Sequence, residues 1–270
     1  MSVAPAPQTM ASLIAPLRER PERSAVLTDI DGTLAPIVER PDQAAVPAET
    51  RAALAELSGR FAIVGCVSGR RASEARELVG VEGIAYAGNH GLELLMPGED
   101  SPRLDPSLEG RQRAAAEFLS ALDGGSLRGA GLRVEDKGPI QALHWRGAED
   151  ERGAEAQARV IAAEAGRAGL EPRWGRKVLE LGPVGGGDKA AAVAALLASD
   201  GVDAAIYAGD DRTDLDAFRR LRGLVAEERL RLAVCVGIAS DESPAELIEE
   251  ADLTVDGPPG WLVVIRELAG

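Results

Sequence analysis

Two aspartates one residue apart, Asp29 and Asp31, close the apolar run AVLT and are followed at once by Gly32 and Thr33. Like carboxylates held that close repel each other, so the pattern calls for a cation that neutralises the repulsion. Asp210, after the apolar run AAIYAG, offers a third acidic group at a strand end. A hard dication, Mg²⁺ by choice, ligated by Asp29, Asp31 and Asp210, would relieve the repulsion. The plain alternative for Asp29 and Asp31 is an Asx turn. A calcium loop does not fit, because its sixth position needs Gly and its twelfth Glu, where this chain has Leu34 and Arg40. The stretch GDDRTDLD fails the same test.

The two aspartates can divide the work of a displacement at phosphorus. One carboxylate attacks to give an aspartyl phosphate, and the other, held protonated, serves the leaving group as general acid. Phosphoryl transfer also needs donors on the equatorial oxygens, and Ser68 and Lys189 supply a hydroxyl and an ammonium. Lys189 ends GPVGGGDK, which fails the P-loop pattern because Asp188 separates Gly187 from the lysine and Ala190 replaces Ser or Thr. Taken alone, without the other motifs, Lys189 reads as a solvated residue in the first turn of a helix.

These residues need a scaffold that brings distant strand ends together. Apolar runs without alternation recur near 25–28, 61–67, 84–87, 203–208 and 232–236. Helical patterns near 47–58, 70–79, 188–199, 213–221 and 243–250, with a last helix from 260, lie among them. This is the signature of an α/β protein with a Rossmann-like parallel sheet covered on both faces. Ligands of such sheets bind beyond the carboxyl ends of the strands. Asp29, Asp31, Ser68, the GNHG turn at 88–91 and Asp210 all fall there.

From about 93 to 183 the rhythm changes. A helix near 107–122 precedes strands near 131–136 and 140–146, a helix near 149–168, and strands near 170–174 and 177–182. The strands alternate apolar and polar side chains, as in an antiparallel sheet with one open face. The expected organisation is a core of 1–92 and 184–270 interrupted by an inserted α+β domain of 93–183. Period-two spacing puts Glu135 with Lys137, His144 with Arg146, and Arg176 with Glu180. Such charged groups on an apolar sheet suit a polyhydroxylated ligand, or equally a solvated face laced with ion pairs.

The 270 residues carry a formal net charge of −14, which disfavours nucleic-acid and anionic-membrane partners. An anionic substrate must then be held by local cations. The two cysteines, Cys66 and Cys235, lie in strand-like runs and read as buried thiols of a reducing compartment. With histidines only at 90 and 144, no zinc ligand set appears. The N-terminal stretch lacks the layout of a secretory signal, and the expectation is a cytoplasmic protein.

Taken together, DIDGT at 29–33, the Ser68 strand end, Lys189 and GDDRTD at 209–214 resemble the haloacid dehalogenase superfamily of phosphotransferases. DIDGTLAPI, PDQAAVP at 41–47, SGR at 68–70, GNHG at 88–91, EDKG at 135–138, HWR at 144–146 and GDDRTDLDAF at 209–218 are similar, more narrowly, to the trehalose-6-phosphate phosphatase family. The resemblance implies hydrolysis of trehalose 6-phosphate with Mg²⁺ as cofactor. Asp29 would be nucleophile and metal ligand, and Asp31 general acid/base and a ligand through its carbonyl. Ser68 and Lys189 would hold the phosphate, and Asp210 would complete the metal site with Asp211 and Asp214 behind it. Gly69, Arg70, Asn89 and His90 would line the substrate site. Glu135, Lys137, His144, Arg146, Arg176 and Glu180 fall where the sugar-recognising residues of the family's mobile cap lie, and closure of that cap would exclude water. The chain departs from the pattern at Arg176 for Lys, Gly182 for Arg or Lys, Leu215 for Glu and Ala190 for Gly. The rival readings are a related phosphatase for another sugar phosphate, such as sucrose 6-phosphate, and a catalytically silent sugar-phosphate sensor.

Overall fold

The computed structural model describes residues 9–38, 43–108, 111–175, 177–198 and 201–270. They form α1 (Met10–Glu19), β1 (Ser24–Thr28), α2 (Ala48–Ser58), β2 (Ile63–Val67), α3 (Ala72–Val79), β3 (Ala85–Gly88), β4 (Glu93–Leu95) and β5 (Arg103–Leu104). Next come α4 (Ala114–Ser120), α5 (Gly124–Gly129), β6 (Arg133–Asp136), β7 (Gln141–His144), α6 (Glu151–Arg167), β8 (Leu170–Gly175) and β9 (Val178–Pro183). The chain ends with α7 (Lys189–Leu196), β10 (Ala204–Gly209), α8 (Asp214–Ala226), β11 (Leu232–Ala239), α9 (Ala245–Glu250), β12 (Leu253–Asp256) and α10 (Gly257–Ala269).

The large sheet has the order β12-β11-β10-β1-β2-β3-β4-β5. Its pairs from β12 through β3 are parallel, and β4 runs antiparallel to β3. All five residues of β1 are buried, because both faces are covered. On one face Val26, Ile206 and Val234 pack with Leu54, Leu57 and Trp261. On the other, Leu27, Tyr207 and Cys235 pack with Val193, Leu196, Phe218 and Leu221. The strand order runs outward from β1 through β2 and β3 on one side, and through β10, β11 and β12 on the other. The crevice between the β1 and β10 ends is therefore the topological switch point where an open α/β sheet binds its ligands.

The chain divides into two compact units, one built from residues up to Arg103 with Asp188–Gly270, the other from Leu104–Gly187. Residues 93–95, assigned to the insert on sequence, form β4 in the large sheet, because the GNHG turn sends the chain back antiparallel along β3. Within the second unit, the antiparallel sheet β6-β7-β9-β8 buries Leu143, Leu179 and Leu181 against Ala158, Ile161 and Ala165 of α6. Period two then turns Glu135, His144 and Glu180 to the opposite face. The strand expected to reach Arg146 stops at His144, since Gly147 at φ +77 turns the chain and Ala148 N–H bonds the Trp145 carbonyl. The long helix expected near 107–122 is a 3₁₀ turn at Pro106–Leu108 followed by the shorter α4.

Three further elements were not expected from the sequence. α1 has a Thr9–Ser12 capping box and buries Leu13, Ile14 and Leu17 in the core shared with α10. The short α5 is capped by Asp123. β12 is an edge strand whose residues alternate half-buried and exposed. Among the described residues no helix is long and apolar enough to cross a membrane.

Gly88 sets how closely α3 approaches the sheet. A Cβ there would lie 2.1 Å from the Ala72 amide nitrogen, which itself donates to Glu93 Oε2 at 2.8 Å. Gly88→Ala is therefore expected to lower unfolding stability by about 3 kcal/mol, read from the urea midpoint at constant m-value.

Candidate active site

Asp29 follows β1, and its amide donates to the Ala208 carbonyl at 2.8 Å, so the start of the loop continues the ladder with β10. The Leu34 and Ala35 amides both donate to the Ile30 carbonyl at 2.9 Å, and the Gly32 amide to the Ala35 carbonyl at 2.7 Å. This tight turn needs Gly32 on two counts. Its φ is +90, and a Cβ would lie 2.1 Å from Asp210 Oδ2. The Gly-Thr pair after the aspartates thus lets the ends of β1 and β10 approach. Thr33 Oγ1 lies 3.4 Å from Asp210 Oδ1.

Lys189 is the first residue of α7, whose N-cap Asp188 accepts from the Ala191 amide at 2.6 Å. The aspartate that spoils a P-loop is therefore what starts this helix. The Lys189 side chain is 4% exposed, with Nζ 2.9 Å from Asp29 Oδ1 and 2.6 Å from Asp214 Oδ1. The solvated-lysine alternative does not hold. Burial pushes the Lys189 ammonium down, but Asp214 and Asp29 outweigh it and hold it above its ordinary value. Burial is also the largest influence on Asp29 and pushes its carboxyl well above the usual carboxylate range. Lys189 pulls it back, while Asp214, Asp210 and Asp31 push it further up.

Carboxylate oxygens of Asp29, Asp210 and Asp214, all three residues buried, lie within 4.8 Å of one another and could hold a metal ion. Their partners separate their roles. Asp214 Oδ1 accepts from Lys189 Nζ and the Tyr207 hydroxyl, each at 2.6 Å. Its Oδ2 accepts from the Asp210 and Asp211 amides at 3.1 and 3.0 Å. Four hydrogen bonds occupy the acceptor sites of a carboxylate. Asp214 is thus the fixed bracket of the site, and a cation would be held by Asp29 and Asp210. Gly209 allows the bracket, since a Cβ there would lie 2.1 Å from Asp214 Cγ. Asp211 contributes its amide, while its carboxylate accepts from the Arg212 amide.

The Asp31 side chain is half-exposed and gripped by the Arg70 guanidinium through two 2.7 Å bonds. Ser68, buried at the end of β2, accepts from the Arg70 amide at 3.1 Å. Asn89 and His90 both adopt the left-handed conformation, with φ +48 and +57. Their amides bond the Arg70 and Ser68 carbonyls at 2.7 and 3.0 Å, tying the two turns together. Asn and His are among the non-glycine residues that adopt this region most readily. The His90 ring lies against Gly69, where a Cβ would be 2.9 Å from Nε2.

On the second unit, Lys137 Nζ bonds Glu180 Oε1 at 2.7 Å, both side chains being 11% exposed. His144 Nε2 lies 2.6 Å from Glu135 Oε2. That hydrogen bond, with smaller help from Lys137, holds the Glu135 carboxyl below its usual range. Arg146 sits in the turn beyond β7, off the strand face. Arg176 lies outside the described residues. The sequence reading missed Tyr207, the one hydroxyl within the apolar run AAIYAG, and Arg173 on β8, which is in register with Glu180 and bonds the Gly186 and Gly187 carbonyls.

The fold is shared with a solved haloacid dehalogenase-like hydrolase from Bacteroides thetaiotaomicron, which superposes with a TM-score of 0.60 at 14% identity, over 90% of this chain and 98% of that one. The chain belongs to the trehalose-phosphatase family, whose profile matches residues 27–248. It is 39% identical to a trehalose-phosphate phosphatase of Mycolicibacterium paratuberculosis over 74% of this chain and 51% of the relative. The solved C-terminal domain of the C. albicans trehalose-6-phosphate phosphatase superposes with a TM-score of 0.76 at 20% identity, covering 98% of each chain. The chain spans about half to three-fifths of the length of the curated relatives it matches.

A carboxyl raised by burial, as at Asp29, stabilises the fold while protonated and ceases to do so as pH rises through its folded-state value. A divalent cation that replaces the proton is therefore expected to raise the melting midpoint at about pH 7.5 by more than at about pH 5. Calorimetric melting with Mg²⁺ and with chelator reads this directly.

Proposed function

We propose that the chain is a Mg²⁺-dependent phosphatase that hydrolyses trehalose 6-phosphate to trehalose and inorganic phosphate through an aspartyl-phosphate intermediate. The observation that carries the reading is the buried Asp29–Lys189–Asp214 linkage at the switch point, beside Asp210 and Asp31, in a chain of the trehalose-phosphatase family. An Asp29 oxygen attacks phosphorus as the phosphorus–sugar oxygen bond breaks, and Asp31 gives a proton to the departing sugar oxygen. Water then attacks the aspartyl phosphate, Asp31 takes up its proton, and phosphate leaves with the Asp29 carboxylate restored. Mg²⁺, held by Asp29, Asp210 and the Asp31 carbonyl, would neutralise charge on the phosphoryl oxygens. Ser68 and Lys189 hold the phosphate, Arg70 orients Asp31, and Gly69, Asn89 and His90 shape the turn beneath. A silent sensor has no use for a desolvated nucleophile beside an ammonium, which favours the enzyme. A cytoplasmic setting suits two free, buried thiols, Cys66 and Cys235.

Sugar recognition is assigned to the open face of the small sheet, through Glu135, Lys137, His144 and Glu180, with Arg146 and Arg176 as further contributors. The Lys137–Glu180 and His144–Glu135 pairs offer fixed donors and acceptors to sugar hydroxyls.

Phosphate release from a panel of trehalose 6-phosphate, sucrose 6-phosphate, glucose 6-phosphate and p-nitrophenyl phosphate is expected to favour trehalose 6-phosphate and to stop with chelator. Asp29→Asn should lower turnover by about a thousandfold or more; near-normal hydrolysis by that variant would dismiss it as nucleophile. Glu180→Gln should raise KM for trehalose 6-phosphate about tenfold while p-nitrophenyl phosphate turnover stays within about twofold. Equal losses on both substrates would remove the sugar assignment.

A further inference from the structure

The Tyr207 hydroxyl has a place in the site that its sequence context hides. β10 is otherwise built of Ala, Ile and Gly, and each of its residues is buried. A phenylalanine would fill the same space against Phe218, whose ring meets Tyr207 edge-on at a centroid distance of 6.1 Å. The hydroxyl instead donates to Asp214 Oδ1, the oxygen that also receives Lys189 Nζ, and both bonds are 2.6 Å long. The same ammonium lies 2.9 Å from the Asp29 oxygen, so it is divided between two carboxylates with the tighter contact to Asp214. A buried, hydrogen-bonded oxygen with one donor removed becomes a stronger acceptor for the donor that remains. Burial first, then Asp214 and Asp29, push the Tyr207 hydroxyl well above its ordinary value, so it stays a donor.

We propose that Tyr207 is a positioning residue: its hydroxyl fills the second acceptor site of Asp214 Oδ1 and limits how far Asp214 draws the Lys189 ammonium from Asp29 and from phosphate bound beside it. The assignment rests on the reading of Lys189 as the phosphate-holding cation. It adds to the site a residue that touches neither substrate nor metal, and it gives the tyrosine a role that packing against Phe218 does not require.

The test compares the wild-type chain, Tyr207→Phe, Asp214→Asn and the double variant. Two measurements are made: calorimetric titration with inorganic phosphate in the presence of Mg²⁺, and turnover of p-nitrophenyl phosphate. Tyr207→Phe should bind phosphate about tenfold more weakly and turn over about tenfold more slowly, the size of one hydrogen bond to a charged group, while its melting transition remains cooperative. On the Asp214→Asn background, removing the hydroxyl should change either quantity by less than about twofold. Phosphate affinity and turnover of Tyr207→Phe within about twofold of wild type would overturn the proposal. So would the same tenfold loss on the Asp214→Asn background, since the hydroxyl would then act by another route. A wild-type chain that binds phosphate but releases none from any ester would remove the aspartyl-phosphate reading, and the phosphate titration alone would still decide the role of Tyr207. A wild-type chain that does neither would overturn both.

Discussion

Three carboxylates and one ammonium are removed from water at the switch point of the large sheet, and the surrounding structure exists to hold them there. Buried charge without compensation is expensive, and an ion pair offsets it only with close geometry and all remaining donors and acceptors satisfied. The chain meets that condition at Asp214, where two side-chain donors and two amides occupy both oxygens. Asp29 meets it in part, through Lys189, and burial leaves its carboxyl raised. This residual imbalance would favour a cation held by Asp29 and Asp210. The glycines at 32 and 209 follow from the same demand, because a Cβ at either position would collide with Asp210 or Asp214.

Seen this way, a triad of carboxylates within 4.8 Å is not a triad of equivalent ligands. Proximity alone would put Asp214 on the metal with Asp29 and Asp210. Counting acceptors assigns it otherwise, since a carboxylate with four hydrogen bonds has nothing left to offer a cation without giving one up. Asp214 does more for the site by fixing the start of α8 against the end of β10, and by setting the position of Lys189. The chain's net charge of −14 then ceases to be a paradox for the anionic substrate we propose. On the proposed reading, attraction would be supplied locally by the buried Lys189 ammonium and by the cation beside it, where low dielectric strengthens it.

Asp29, Asp31, Ser68, Asp210 and the GNHG turn were legible in the sequence because a parallel sheet converts chain order into spatial convergence. Each lies directly after an apolar run, and the carboxyl ends of neighbouring parallel strands meet on one edge. Lys189 was visible as a motif but not as buried, since the first turn of a helix is usually solvated and only the Asp188 cap and the packing of α7 turn the side chain inward. Tyr207 was invisible for the opposite reason: a tyrosine in an apolar strand satisfies the burial pattern whether or not its hydroxyl has work to do. Helix α1 escaped because its Pro-rich surroundings mask a pattern of Leu13, Ile14 and Leu17 that becomes meaningful only against α10. Edge strand β12 escaped because four residues of mixed exposure carry no run to recognise. Arg146 was placed on a strand face because period two has no knowledge of where a strand ends, and the turn at Gly147 ends it two residues early.

The fold by itself would leave the activity open, since one scaffold serves many chemistries and function resides in the groups grafted on it. What narrows it here is the division of labour between units of different construction. The parallel sheet fixes Asp29 and its counter-charges with buried backbone and tight turns, a design that would suit the reaction at phosphorus proposed above. The small antiparallel sheet leaves one face open and lines it with paired charges on β6, β7 and β9, where a side chain can change without disturbing a core. Lys137 and Glu180 are nonetheless largely buried, each side chain 11% exposed, so the loss of one strands the other in a poorly solvated place. On the proposed reading, a face built that way would discriminate by what it leaves unpaired: a ligand whose hydroxyls do not meet those groups would forfeit the full cost of desolvating them. Specificity and chemistry can then vary separately, because the interactions that set each are carried by different sheets.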